Sequence, residues 1–270
     1  MNPNKALWEK GDFTRLAACM RTSGAALVAD IGVAPGMDVL DLGCGDGTTA
    51  IPAAQAGASV LGVDIASNLV AAGNARAAEM GLDNIRFEEG DASALTRQGD
   101  ASYDLVVSIF GAMFAPRPHD VAREMVRVTR PGGRIMMGNW IPGDPTLIAQ
   151  VLKISASYSP PPPEGFVSPV LWGKEEVVRE RFAAAGVAND RIRCTRAIYT
   201  FMYDGSPREF LNIFRGWYGP TMNAYEAAAK DGREEALDAE LLALFEAQNV
   251  SGDKARTEIP AAFLRVEVGV

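Results

Sequence analysis

The stretch from Val39 to Thr49, VLDLGCGDGTT, puts glycine at 43, 45 and 47 directly behind an acid, Asp41, and a short apolar run. Glycine on alternate positions lets a chain turn through left-handed conformations and approach a ligand with no Cβ in the way. The apolar run reads as a buried strand entering that turn, and the Ala-rich segment 49–58 reads as the helix that leaves it. A helix beginning near Thr48 would aim free N–H groups and the positive end of its dipole at the turn, which suits a carboxylate or a phosphate. The dinucleotide pattern G-x-G-x-x-G would need glycine at 48, where Thr48 stands, so that reading fails. An acid at 41 is of no use to a pyrophosphate but accepts hydrogen bonds from an ammonium or from loop amides. The ligand read from this turn carries both a cation and an anion.

The same unit then repeats. Residues 59–64 read as a second strand, 67–81 as a helix, 85–91 as a third strand and 103–110 as a fourth. A helix over about 119–128 and a turn and strand over 131–140 complete the pattern. Strands separated by helices predict βαβ units and a doubly wound, mostly parallel α/β sheet, with ligands at the carboxyl ends of the strands. Beyond Trp140 the rhythm breaks into a proline-rich stretch at 159–165, a strand at 192–204, a helical block at about 206–248 and a last strand from 257.

Composition narrows the function. The 270 residues suit one elaborated α/β domain, and a net charge of −8 with no cluster of Lys and Arg argues against nucleic acid as a partner. The first 25 residues mix charged residues through their apolar positions and read as neither signal peptide nor anchor. No window is long and apolar enough to span a membrane. Three widely separated cysteines give neither a disulfide framework nor metal-ligand spacing, so no metal is expected and a reducing cytoplasm is.

Asp41 to Gly47 resembles the first motif of class I S-adenosylmethionine-dependent methyltransferases. Four further landmarks follow in order over residues 36–140: GVDIA with Asp64 and Ile65, EEGDASAL with Asp91 and Ala92, YDLVVSIFGAMF with Ser108 and Phe110, and EMVRVTRPGGRIMMGNW. The last is similar to the small-molecule branch, of the kind seen in ubiquinone and menaquinone biosynthesis. The resemblance implies a seven-stranded Rossmann-like sheet with a helical lid insertion near the C-terminus. It implies S-adenosylmethionine as cofactor and S-adenosylhomocysteine as product. It implies binding by Asp41, Gly43, Cys44, Gly45, Ile65 and Ser108, with Asp64 at the ribose and Asp91 and Ala92 at the adenine. The segment WEKGDFTRLA resembles the part that closes over the cofactor in this branch, which makes Phe13 a candidate for covering the site. The implied organisation is an N-terminal helical segment at 1–35, a cofactor core at 36–145 and substrate-side segments at 146–270.

The acceptor side is read from the residues alone. Phe110 and Met113, and Trp217 and Tyr218 in the stretch 212–225, are candidates for a substrate pocket, with core packing as the other reading. Together with 158–173, that stretch is expected to form an apolar lid or a helical cap with its own core, or a face for a homodimer. His119, with Asp120, reads as a helix cap or as a proton-transfer group. Tyr158, Tyr199, Tyr203, Asp144 and Tyr218 are the other candidate bases; the sequence does not rank them, and no catalytic residue is assigned. The expected function is methyl transfer to an aromatic or largely apolar small molecule. A cofactor-binding sensor or scaffold, or a protein or RNA methyltransferase, are the alternatives. The sequence SIFG after the fourth strand, where a nucleic-acid enzyme would carry Asn/Asp-Pro-Pro-Tyr/Phe, opposes the RNA reading.

Overall fold

The computed structural model describes residues 4–270, so the first three residues of the N-terminal segment lie outside the described residues. Three helices come first, α1 (Lys5–Glu9), α2 (Thr14–Ala18) and α3 (Arg21–Ile31). Then follow β1 (Asp38–Leu42), α4 (Ala50–Gln55), β2 (Ser59–Asp64), α5 (Ser67–Glu79), β3 (Ile85–Glu89) and β4 (Tyr103–Ile109). The chain continues with α6 (Pro118–Val128), β5 (Thr129–Trp140), α7 (Leu147–Ser157), α8 (Glu175–Ala184) and β6 (Ile192–Tyr203). It closes with α9 (Pro207–Trp217), α10 (Gly219–Lys230), α11 (Glu234–Gln248) and β7 (Thr257–Gly269). No helix among the described residues is long and apolar enough to cross a membrane.

The strands form one seven-stranded sheet in the order β3-β2-β1-β4-β5-β7-β6. Neighbours among β1–β5 pair in parallel, and β7 runs antiparallel between β5 and β6. β6 therefore points the same way as β1–β5, and the carboxyl ends of six strands share one edge of the sheet. β5 starts at Thr129 rather than at 131, because Thr129 pairs with Tyr103 before the register shifts.

Both faces of the central strands are covered, which is why they read as nearly continuous apolar runs. Leu40, Leu42, Val63, Val106, Ile135 and Met137 pack on one face with Val121, Ala122 and Met125 of α6. Val39, Val60, Leu105, Val107 and Met136 pack on the other with Val28 and Ile31 of α3 and Ala50, Ile51 and Ala54 of α4. The N-cap of α6 is Arg117 with Pro118 in the first turn, so neither His119 nor Asp120 caps it; proline takes the first helical position because its missing N–H would be unpaired there anyway. In α9 a capping box closes the start: Glu209 N–H donates to Ser206 Oγ at 3.3 Å and Ser206 N–H donates to Glu209 Oε2 at 2.8 Å.

The turn after β1 and the turn after β4 touch backbone to backbone. A Cβ on Gly111 would lie 2.3 Å from Gly43 O and 2.6 Å from Gly43 Cα. Gly111→Ala should therefore destabilise the protein by about 2 kcal/mol or more. Gly216→Ala in α9, where a Cβ meets nothing within 4 Å, should change stability by less than about 1 kcal/mol in the favourable direction. Urea unfolding of the two variants measures both; equal midpoints would contradict the contact.

Candidate active site

The loops after β1, β2 and β3 and the ends of β4, β5 and β6 surround a cavity of about 1150 Å³ including its mouth.

Gly43, Gly45 and Gly47 all adopt the left-handed region, with φ of +66°, +54° and +90°. Gly43 and Cys44 N–H donate to Val63 O at 2.8 and 3.2 Å, Gly47 N–H donates to Cys44 O at 3.0 Å, and Gly45 N–H donates to Asp64 Oδ2 at 2.8 Å. These amides are spent on the protein. The helix that follows starts at Ala50, not near Thr48, and spans 6 residues. Four amides of the turn are thus committed within the protein, and the neighbouring carboxylates are the side chains the turn offers to a ligand.

Asp41, the fourth residue of β1, is buried, and its Oδ2 has no hydrogen-bond partner. Asp64 ends β2, also buried, with Oδ1 accepting from Ala66 N–H at 2.9 Å. Burial pushes the Asp41 carboxyl up to about 8, with the Asp64 carboxylate adding to the shift. Burial also raises Asp64, against the pull of its backbone donors. Two acids that resist ionisation in the ligand-free protein are suited to a ligand that brings positive charge. Burial, together with both acids, raises the Cys44 thiol well above its ordinary range, so it lines the cavity as a small packed group.

Asp46 is a third buried acid on the lining, one that sequence reasoning missed. It is neutralised within the protein, lying 3.0 Å from Arg21 Nη2 and 3.1 Å from Arg76 Nη1. Its effect is to bind α3 and α5 to the glycine loop. Asp91 and Ala92 line the cavity beyond β3, with Asp91 Oδ1 accepting from Ser93 N–H at 2.8 Å and Ser93 Oγ–H at 2.7 Å. Ile65 lies on the lining as well.

The other half is aromatic. Phe110 stacks on Trp140 with ring centres 3.6 Å apart, and Tyr199 and Phe201 of β6 continue the wall. Phe110 holds φ at +64°, a strained value for a bulky residue. Its N–H donates to Gly138 O at 2.9 Å. Tyr199 O–H donates to Met20 O at 2.9 Å, and burial with Asp41 nearby raises its phenol. Over the mouth, Trp8, Phe13, Phe114 and Tyr218 pack ring to ring at 4.9 to 6.3 Å. Phe13 also covers the glycine loop, 4.0 Å from where a Cβ on Gly45 would sit. Among the described residues, the charged side chains on the lining are Asp41, Asp46, Asp64 and Asp91.

Several expected residues fall elsewhere. Ser108 is buried behind the site, where its Oγ–H donates to Leu42 O at 2.6 Å and its Oγ accepts from Ala112 N–H at 2.9 Å. It ties β1 to the turn after β4 and has no face on the cavity. Met113 is core, and Trp217 sits on the surface under the Arg15 guanidinium. The stretch 158–173 contributes nothing to the lining, and of 212–225 only Tyr218 reaches it. The rest of the helical block buries its own core, Phe245 packing on Phe210 and Phe214 and these two on Phe201. His119 is half exposed, 3.8 Å from Glu180. Asp144 is paired with Arg196 at 3.1 Å, Tyr158 O–H donates to Glu240 at 3.1 Å, and Tyr203 stacks on Phe210. Of the candidate bases, only Tyr199 and Tyr218 line the cavity.

Residues 39–133 match the family model of a methyltransferase domain. The chain is 35% identical over 246 residues to the uncharacterized protein Rv1403c of Mycobacterium tuberculosis, covering 89% of this chain and 86% of that one. It is 36% identical over 115 residues to a demethylmenaquinone methyltransferase of Renibacterium salmoninarum, covering 42% and 46% of the two chains. The chain belongs to the S-adenosylmethionine-dependent methyltransferases. The fold agrees with that of a Haemonchus contortus phosphoethanolamine N-methyltransferase 2 solved with phosphomonomethylethanolamine and S-adenosylhomocysteine. That match has a TM-score of 0.62 and 15% identity, covering 100% of this chain and 60% of the other. The unpartnered Asp41 Oδ2 and the uncommitted lone pairs on Asp64 fit the ammonium and hydroxyl donors of such a methyltransferase's cofactor.

The raised carboxyls have a consequence for stability. Asp41 is raised to about 8 and Asp64 is shifted in the same direction, so the folded, ligand-free methyltransferase gives up these protons at higher pH than the unfolded chain does. Their contribution is complete below the unfolded value and is lost as pH rises through the folded one. The thermal midpoint of the ligand-free protein should therefore fall from about pH 6 to about pH 8.5. Asp41→Asn should flatten that slope, as differential scanning calorimetry across the range would show.

Proposed function

We propose that this methyltransferase transfers a methyl group to an uncharged, largely apolar small molecule by in-line displacement. The observation that carries the reading is the division of the cavity along the sheet order. Asp41, Asp64 and Asp91 lie over β1, β2 and β3, and an aromatic wall with no charged side chain lies over β4, β5 and β6. S-adenosylmethionine, when bound, supplies a methyl group already activated on a sulfonium. Asp41 accepts from its ammonium, Asp64 from the ribose hydroxyls, and Asp91 with the Ala92 N–H takes the adenine edge. Gly43, Cys44, Gly45 and Ile65 shape the floor, and Phe13 closes over it.

The aromatic half has two tasks. It holds the acceptor about 3–3.5 Å from the methyl group with its lone pair aligned, and it excludes water. No His, Lys or Glu side chain lines the cavity among the described residues, so positioning of the acceptor carries the reaction and no residue is assigned as its base. The name of the demethylmenaquinone relative points to the same class of acceptor.

The test uses purified protein, S-adenosylmethionine labelled in its methyl group, and a fractionated cell extract. Label should enter small molecules extractable into organic solvent. Asp64→Ala should abolish the transfer and weaken S-adenosylhomocysteine binding about 100-fold, through loss of two hydrogen bonds to a charged acceptor. Label appearing in protein or RNA instead would overturn the acceptor class.

A further inference from the structure

Tyr218 stands alone between two helices, after α9 and before α10, with its N–H donating to Phe214 O at 3.1 Å. The residue is 4% exposed, and its hydroxyl has no hydrogen-bond partner among the described residues, although the side chain lines the cavity. Of the two phenols in the aromatic half, Tyr199 is committed to Met20 O. Tyr218 is not. A phenol O–H on the cavity wall with no protein partner is open to a hydrogen bond with a ligand atom.

The ring has little freedom to find another partner. Phe214 packs edge-on at 5.5 Å, and Trp8 and Phe13 lie at 6.1 and 6.3 Å. On the far side Gly219 is pressed against Leu7, where a Cβ would sit 2.5 Å from the Leu7 carbonyl oxygen. The N-terminal segment thus packs against both the Tyr218 ring and the residue that follows it.

We infer that the Tyr218 O–H donates the hydrogen bond that recognises the acceptor, which is therefore a flat, apolar molecule with one accepting oxygen. The inference rests on the reading of the cavity as the methyl-transfer site. A charged handle on the acceptor would find no counter-charge in the aromatic half, whereas a single oxygen finds one donor. The deep burial of Tyr218 raises its phenol, which keeps it a donor and not a base.

The experiment titrates the full chain first with S-adenosylhomocysteine alone, and then, at saturation, with 2-naphthol and with naphthalene. The wild-type protein should bind 2-naphthol at least about fivefold more tightly than naphthalene. Tyr218→Phe keeps the ring and removes only the hydroxyl. It should erase that preference while S-adenosylhomocysteine and naphthalene affinities stay within about twofold. Unchanged 2-naphthol affinity in the variant would overturn the assignment, as would failure of both probes to bind the saturated wild-type protein. Failure of S-adenosylhomocysteine to bind in the first titration would instead overturn the reading of the cavity itself.

Discussion

Two carboxylates buried side by side at the ends of adjacent parallel strands set the terms for the rest of the molecule. Asp41 pairs in register with Gly62, and Asp64 lies two residues further along the same strand, so the β1–β2 ladder fixes their separation. Burial raises both carboxyls above their ordinary range, Asp41 to about 8, so each gains from a ligand that brings a cation or hydrogen-bond donors. The glycine turn is shaped around this pair. Its left-handed residues bring Gly45 N–H onto Asp64 and leave the Asp41 Oδ2 open. Asp64 is thus both a brace for the loop and a ligand group, and its removal disturbs both.

The aromatic half answers to the other end of the same geometry. Since β6 runs parallel to β1 to β5, its C-terminal residues Tyr199 and Phe201 reach the same edge as Phe110 and Trp140. Residues about ninety positions apart in sequence therefore form one wall. The N-terminal helices complete it from outside, held to the glycine loop by Arg21 on Asp46 and to the sheet by Ser23 Oγ–H on Thr200 O at 2.8 Å.

What the sequence made legible was whatever a local pattern encodes. The first five strands, the glycine turn and the helical block each carry a periodicity or a turn chemistry of their own, and their observed bounds lie within a few residues of the expected ones. Asp64 was legible because it ends an apolar run, and Phe13 because its flanking residues resemble a known segment. Ser108 was misplaced, and Met113 took the core reading of its two, because strand alternation does not say which way a residue faces once the strand ends in a strained turn at Phe110. Trp217 and Tyr218 are neighbours with opposite fates, surface and cavity, decided by the break between α9 and α10. Asp46 went unread because its partners, Arg21 and Arg76, come from helices on either side of it in sequence. The roles of Trp8, Trp140 and Phe201 depend on tertiary placement alone.

The most direct test of the buried-acid account is calorimetric titration of the purified protein with S-adenosylmethionine, S-adenosylhomocysteine and NADH at about pH 7, in buffers of different ionisation enthalpy. Both sulfur ligands should bind with release of a proton, as the cationic ligand draws Asp41 into its charged form, and NADH should not bind. Binding without proton release, or binding of NADH in preference, would contradict the claim that two buried carboxylates select the ligand.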